Sequence, residues 1–276
     1  MLNRFYVEEH VKKALEEDIG FGDITTDYLT NEDDEMRCTL NSRTDGIFCG
    51  KTVFETVFKV LSDKIEIVFY INDGDVLKKG DKIAELKGPA KYILMGERTA
   101  LNYIQRMSGI ATMTNKYQKA IGEYKAKIAD TRKTTPLFRA FEKYAVKTGG
   151  GSLHRFNLSD CAMIKDNHIA HSGSLTIAVE KLRKNISHAH KIEVECDTIE
   201  QVREALNCGV DIIMLDNMSI DSMKECVKLI GGKAITEASG NVKLETVKEI
   251  ASTGVDIISS SAIVAQAPTL DLGLDY

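Results

Sequence analysis

The sequence predicts an α/β protein in two parts, a small antiparallel sheet crossed by one helix and then a (β/α) barrel. Three observations carry this. From Ala126 onward, short apolar runs alternate with helical stretches, as a parallel sheet requires. Those runs are followed at once by ionisable or small polar residues. Before them, residues 36–87 have another texture, short runs punctuated by turn signals. With 276 residues and 43% hydrophobic content the chain can bury a sizeable core. At roughly 150 residues per domain it has room for about two domains.

In chain order, Leu2, Phe5, Val7, Val11, Ala14 and Leu15 make one apolar stripe of an opening helix, stopped by Gly20 and Gly22. Residues 38–40, 46–49, 65–70 and 82–86 are the expected strands of the small sheet, and 51–61 the crossing helix. Turns such as Asn72-Asp73-Gly74-Asp75 and Lys79-Gly80-Asp81 separate them. A long helix begins after Pro89, passes through Arg98, Leu101, Ile104 and Met107, is expected to break near Gly109, and closes at Gly122. It reads as the bridge between domains. The later strands are 126–129, 161–164, 192–194, 212–215, 234–236 and 255–258. Gly209-Val210-Asp211 before one strand recurs as Gly254-Val255-Asp256 before another, the echo that repeated βα units leave.

The residues just past each strand decide between barrel and open sheet. Asp130 with Arg132 and Lys133, Lys165 with Asp166, Glu195, Asp216 with Asn217, Glu237 with Ser239, and residues 259–261 all lie at C-terminal strand ends. In a barrel those ends share one mouth, where active sites are built. A doubly wound sheet stays open as an alternative, but it would spread them along a crevice.

A net charge of −5 argues against a general nucleic-acid or anionic-membrane binder, so any anion site must be local. The six cysteines are scattered without a Cys-x-x-Cys pair and read as reduced, mostly buried thiols, not as a zinc site. Residues 1–18 alternate apolar and charged groups, unlike a signal peptide or membrane span. The expected location is the cytoplasm.

Residues 130–169 gather Arg132, Lys133, His154, Arg155 and Lys165 around Gly149-Gly150-Gly151. Such cations converge only around a strongly anionic ligand, carboxylate or phosphate. Taken singly each has an ordinary alternative: a solvated Arg-Lys turn, a glycine helix stop, a structural histidine. Arg132 and Lys133 gain weight from preceding Thr134-Thr135-Pro136, which suits a fixed turn opening a helix. Glu195 and Asp216 are either charge balance for these cations or ligands of a magnesium ion shared with substrate phosphates. Ser239-Gly240-Asn241 offers small residues and backbone amides to a phosphate.

In sequence order, the motifs are Glu97-Arg98-Thr99-Ala100-Leu101-Asn102, Asp130-Thr131-Arg132-Lys133-Thr134, Glu142-Lys143-Tyr144-Ala145-Val146, Gly149-Gly150-Gly151, His154-Arg155, Lys165-Asp166-Asn167-His168-Ile169, Glu193-Val194-Glu195, Leu215-Asp216-Asn217 and Glu237-Ala238-Ser239-Gly240. Through them the chain resembles the quinolinate phosphoribosyltransferases over nearly its whole length. The resemblance implies an N-terminal α/β sandwich over 1–106, joined by the tail 266–276, and an incomplete, TIM-like (β/α) barrel of seven strands over 107–265. It implies conversion of quinolinate and 5-phosphoribosyl 1-pyrophosphate to nicotinate mononucleotide, pyrophosphate and carbon dioxide, with Mg2+. It further implies a homodimer, or a higher assembly, with shared active sites.

By that resemblance Arg98 comes from the neighbouring subunit, and Arg132, His154, Arg155 and Lys165 line the quinolinate pocket. Lys133, Glu195, Asp216, Ser239, Gly240, Ser260 and Ser261 match positions near phosphoribosyl pyrophosphate. Glu195 and Asp216 are the implied metal ligands, and these two with Lys165 the implied catalytic residues. Leu153 stands where asparagine is common, Asn157 where glycine is, and Ser261 and Ala265 where glycine and histidine are.

Three other readings are open at this point. One is a phosphoribosyltransferase acting on another acceptor. A second is a barrel lyase using Lys165 as a Schiff-base nucleophile. The third is a carrier protein, prompted by the biotinyl-like hairpin over 72–81, although no methionine-flanked acceptor lysine sits at its tip.

Overall fold

The structure, a computed structural model, describes residues 2–276; Met1, first residue of the expected opening stretch, lies outside them. It divides into two compact units. One comprises residues up to Asn115, Ala140–Gly150 and Ala267–Tyr276; the other comprises Lys116–Arg139 and Gly151–Gln266. The boundary expected after residue 106 falls inside the first unit, which keeps the long helix after Pro89 as far as Asn115.

In the first unit, α1 (Arg4–Ile19) begins where the Asn3 side chain accepts the Phe5 and Tyr6 amides, and it ends at Gly20. Val7, Val11 and Leu15 of the expected stripe are buried, whereas Phe5 is exposed. After α2 (Thr26–Leu29) come β1 (Glu35–Ser42) and β2 (Gly46–Ile47). The crossing helix α3 spans Lys51–Leu61, as the sequence predicts, and buries Val53, Phe54, Val57 and Phe58. Its first amides, of Gly50 and Lys51, donate to Asp73 Oδ1 at 2.8 and 3.0 Å. The acidic turn of the hairpin is therefore a remote helix cap.

Strands β3 (Glu66–Phe69), β4 (Val76–Leu77) and β5 (Lys82–Pro89) complete the local sheets. β1 pairs antiparallel with β5, which pairs with β3; β2 pairs with β4. The other edge of β1 takes residues 272–275 from the tail.

Helix α4 (Ala90–Ile121) runs unbroken for 32 residues to Gly122. Gly109 does not break it, contrary to expectation. A Cβ there would lie 1.9 Å from the Pro268 carbonyl oxygen, so this glycine admits the tail against the helix. After β6 (Lys127–Ala129), α5 (Arg139–Thr148) would belong to the barrel by sequence order. Its residues from Ala140 onward instead belong to the first unit. Phe141 stacks among Tyr6, His10 and Tyr103, and fully buried Glu142 pairs with Arg106 at 2.8 Å. Gly149, next to that helix, has Ala111 O where a Cβ would stand, at 2.3 Å, so part of the glycine triplet serves close packing.

The second unit continues with β7 (Ala162–Ile164), α6 (Asp166–Ser172), α7 (Leu175–Asn185), β8 (Ile192–Cys196), α8 (Ile199–Asn207), β9 (Ile212–Asp216), α9 (Ile220–Ile230), β10 (Ile235–Ser239), α10 (Val247–Ala251), β11 (Ile257–Ser259) and α11 (Ala262–Ala265), before the tail strand β12 (Leu272–Asp275). Among the described residues its sheet has six parallel strands in the order β6-β11-β10-β9-β8-β7. A one-residue parallel bridge, Ala129 to Ser152, adds a further chain segment beside β6. This is the incomplete TIM-like barrel: among the described residues no ladder joins the Ser152 segment to β7.

The repeated Gly-Val-Asp has a repeated task. Gly209 and Gly254 both take positive φ, and Val210 and Val255 are both buried. Asp211 Oδ2 accepts the Ile192 amide at 2.8 Å, and Asp256 Oδ2 accepts the Thr236 amide at 2.9 Å. Each aspartate thus pins its own strand start to the strand before it.

Candidate active site

The register of the parallel strands sorts their inward side chains into layers. Met163 pairs with Glu193 and Glu193 with Ile212; two residues further on, Glu195 pairs with Met214, and Met214 with Glu237. One layer nearer the C-terminal ends, Asp216 pairs with Ser239. Successive layers therefore hold Glu193, then Glu195 and Glu237, then Asp216 and Ser239.

His154 reaches two buried carboxylates of successive layers. Its Nε2 lies 3.3 Å from Glu193 and 3.4 Å from Glu237, both buried. Its backbone amide donates to the fully buried Asp130 at 2.8 Å. Burial alone lowers the imidazole's pKa, but the two carboxylates outweigh it and raise it to about 10. Glu193 is also shifted upward, first by burial. The cluster thus holds an extra proton at neutral pH. The Arg155 amide lies 2.7 Å from Nδ1, which fixes the ring's orientation on its own loop. The Glu237 oxygen that faces the ring is buried and has no hydrogen-bond partner, its nearest polar contact being the imidazole at 3.4 Å. Among the described residues this trio is the one group of three side chains close enough to share a metal ion.

The cations stand above it. Arg132 and Lys133 are exposed on the turn after β6, where the Lys133 amide donates to Thr131 Oγ1 at 3.0 Å. The Arg132 guanidinium is held below the usual arginine pKa, first by partial desolvation, then by the like charges of Arg155 and Arg139. Arg155 donates to Cys161 O at 2.9 Å. Lys165, first after β7, pairs with Glu195 at 2.5 Å.

At the top layer, Asp216 Oδ2 accepts from the Asn217 side chain at 2.7 Å. Asn217 has φ 51° and donates its amide to Ser239 O at 3.0 Å. Gly240, at φ 93°, lies so close that a Cβ would stand 2.2 Å from Asn217 Oδ1. Two loops are locked together here, and only glycine fits. Ser260 is buried and donates to Val242 O at 3.3 Å, while Ser261 precedes α11 and is half-buried. Arg98 lies exposed on α4, in the first unit.

Several cations on the loops past the strand ends thus accompany layered carboxylates, a set suited to binding small polyanions. Residues 23–108 match the family model described as the N-terminal domain of quinolinate phosphoribosyl transferase, and 110–275 that of its C-terminal domain. The chain belongs to this family. It is 42% identical over 275 residues to the probable carboxylating nicotinate-nucleotide pyrophosphorylase of Bacillus subtilis, covering 100% of this chain and 92% of that one. A quinolinate phosphoribosyltransferase of Nicotiana tabacum is 40% identical, over 97% of this chain and 81% of its own. The solved nicotinate-nucleotide pyrophosphorylase of Francisella tularensis superposes with a TM-score of 0.96 at 39% identity, covering 100% and 97% of the two chains.

The structure brings His154 and Arg155 onto one loop, Lys165 onto Glu195, and Asp216 beside Ser239 and Gly240. Motif and spacing alone do not reveal Glu193 and Glu237 as partners of His154. The signal that could have found them is a glutamate inside an otherwise apolar strand. Arg139 is likewise silent in the sequence, with no motif of its own beyond a helix start.

Proposed function

We propose that the protein converts quinolinate and 5-phosphoribosyl 1-pyrophosphate to nicotinate mononucleotide, pyrophosphate and carbon dioxide, the entry of quinolinate into NAD biosynthesis. The observation that carries this reading is that the Arg139 guanidinium bonds both to Thr134, on the loop of Arg132, and to Phe156 O, on the loop of Arg155, each at 3.0 Å, which gathers three cations beside β6. Like charges held together in the free protein suit a polyanion, and quinolinate has two adjacent carboxylates.

In this reading Arg132, Arg155, Lys165 and a neighbouring subunit's Arg98 bind the dicarboxylate and aim its nitrogen at C1 of the ribose. His154, with its ring against the glutamates, holds Arg155 through the amide contact. The C1–oxygen bond breaks, pyrophosphate leaves with the electron pair, and the ring nitrogen bonds to C1. Lys133, Ser239, Gly240, Ser260 and Ser261 surround the phosphates. The carboxylate beside the now cationic nitrogen then leaves as carbon dioxide. Its electron pair stays on the ring carbon and takes up a proton.

Glu195 and Asp216 fit Mg2+ as donors: hard carboxylate oxygens on adjacent strands, a shell that phosphate and water oxygens would complete. When bound, the ion would supply positive charge beside the departing pyrophosphate. Lys165 then has a second task, since its ion pair with Glu195 holds that carboxylate in place until the metal and substrate arrive.

A homodimer fits the exposed apolar side chains Phe5, Phe21, Ile24, Tyr28 and Leu29, crowded into the first thirty residues. Among the described residues no helix is long and apolar enough to cross a membrane; we place the protein in the cytoplasm. Two alternatives lose support. An ammonium engaged 2.5 Å from Glu195 is not the free amine a Schiff-base nucleophile must be. The hairpin turn of the carrier reading is engaged as the α3 cap.

The test is turnover of quinolinate with phosphoribosyl pyrophosphate and Mg2+, following nicotinate mononucleotide and carbon dioxide together, with nicotinate and nicotinamide as parallel acceptors. Product from quinolinate alone is expected. Turnover of nicotinate instead would overturn the assignment and point to Leu153, Asn157, Ser261 and Ala265.

A further inference from the structure

We propose that Arg139 is a positioning residue that sets the spacing of Arg132 and Arg155, by tying the loop after β6 to the loop that follows Ser152. The proposal rests on the reading of that cation cluster as the quinolinate site. Arg139 is the first residue of α5 and is half-buried. Its Nε donates to Thr134 Oγ1 at 3.0 Å, and its Nη1 donates to Phe156 O at 3.0 Å. Thr134 in turn donates its amide to Arg132 O at 3.0 Å. Phe156 directly follows Arg155, and its own amide is fixed by Asp160 at 2.5 Å. One guanidinium thus grips, on each loop, a residue bonded to or hydrogen-bonded with the backbone of a binding arginine.

The residue type fits the task. Bridging two acceptors on separate loops needs donors that diverge from a rigid plane, which a guanidinium has and an ammonium lacks. A third cation beside Arg132 opposes it when the site is free. A neutral donor such as glutamine could satisfy one of the same acceptors without that cost. Its charge is favourable only once a dianion binds, when Arg139 adds to the field that holds it.

The chain before Arg139 is stiff enough to aim it. Phe138 donates its amide to Thr135 O at 3.1 Å, closing a turn with Pro136 second and Leu137 third. Leu137 takes φ 62°, the sign a type II turn demands at its third place. Proline fixes the turn from one side and the Thr134 contact from the other, so the guanidinium is delivered back across its own loop.

Arg139→Gln and Thr134→Val are compared with wild type in steady-state assays with each substrate varied. The expected result is a KM for quinolinate raised about tenfold in Arg139→Gln, with a much smaller change in KM for phosphoribosyl pyrophosphate. Thr134→Val leaves the guanidinium in place but severs one tie, and should reproduce part of the rise. The double variant should be no worse than Arg139→Gln alone, because both break one path. Arg139→Lys should fail to restore the KM. An unchanged KM for quinolinate in a folded Arg139→Gln would overturn the proposal, as would additive losses or an equal rise for both substrates. Should Arg139→Gln not fold, Thr134→Val decides by the same split. Arg132→Ala separates the site reading from the positioning role. If it leaves the quinolinate KM intact, the site reading fails; if it abolishes binding while Arg139→Gln does nothing, only the positioning role fails.

Discussion

The rim and the layer beneath it hold opposite charges under opposite conditions. Arg132 and Lys133 stand exposed on a turn, while Glu193 and Glu237 are buried around His154. At the rim, water screens each charge, so like charges can be held close at small cost and released to a ligand. In the buried layer no solvent helps, and the carboxylates persist beside an imidazole whose pKa they raise. On the proposed reading charged side chains serve recognition in one place and architecture in the other, and burial decides which. Substitutions should split accordingly, rim changes altering binding with little effect on folding and buried changes lowering stability first.

The largest expected effect is at the rim. Arg132→Ala should raise the KM for quinolinate at least about a hundredfold, since on the proposed reading it removes a bidentate partner of a carboxylate. Its midpoint in urea should match wild type. A variant that loses stability as well would break the contrast, by showing that Arg132 also holds the loop.

Next comes the buried layer. His154→Ala leaves two buried carboxylates without their imidazole and should cost roughly 3 kcal/mol in urea denaturation. The sign of its pH dependence comes from the raised pKa. A proton held more tightly in the folded state stabilises fully below the unfolded value, 6.5, and that contribution is lost as pH rises towards about 10. The gap between wild type and His154→Ala should therefore be wider near pH 6 than near pH 9, on the order of a few kcal/mol at most. A gap independent of pH would mean that packing, not the bound proton, is what His154 contributes.

How much of the fold and site is legible in the sequence depends on the range of the interactions. Helix α3 is set by its own stripe and appears where the sequence predicts it. The parallel strands are short, apolar and flanked by charge, and they too are readable. Tail strand β12 is not, because four residues of Leu-Gly-Leu-Asp carry too little pattern and pair with β1 more than two hundred residues away. Gly109 misleads for a related reason. A glycine in a helix looks like a stop unless the Pro268 carbonyl that needs its space is known. In the site, the cations are visible as motifs, but the link from His154 to Glu193 and Glu237 depends on strand register, which no local pattern encodes.

A smaller effect is expected where two loops of the upper layer touch. Gly240→Ala would push a Cβ to 2.2 Å from Asn217 Oδ1 and would also strain a φ of 93°. The neighbour is itself held by its amide bond to Ser239, so relief must come from the backbone, at roughly 2 kcal/mol. Because Asp216 leans on Asn217, the KM for phosphoribosyl pyrophosphate should rise with the loss of stability. A fall in stability without a change in that KM would confine this contact to folding and place it with the buried layer.

The smallest expected effect has the opposite sign. Leu137 is an exposed leucine at φ 62°, a conformation that places its Cβ against the following carbonyl. Leu137→Gly removes that strain, which is worth about 1–2 kcal/mol, and gives part of it back through the greater freedom of glycine in the unfolded chain. A net gain of about 0.5 kcal/mol in urea denaturation is the expected balance. The same change loosens the turn that aims Arg139, so the KM for quinolinate should drift upward as stability improves. That pairing, a firmer fold with weaker binding, would show that the strained turn is retained for recognition at the rim. If stability and affinity both improve, the leucine serves neither.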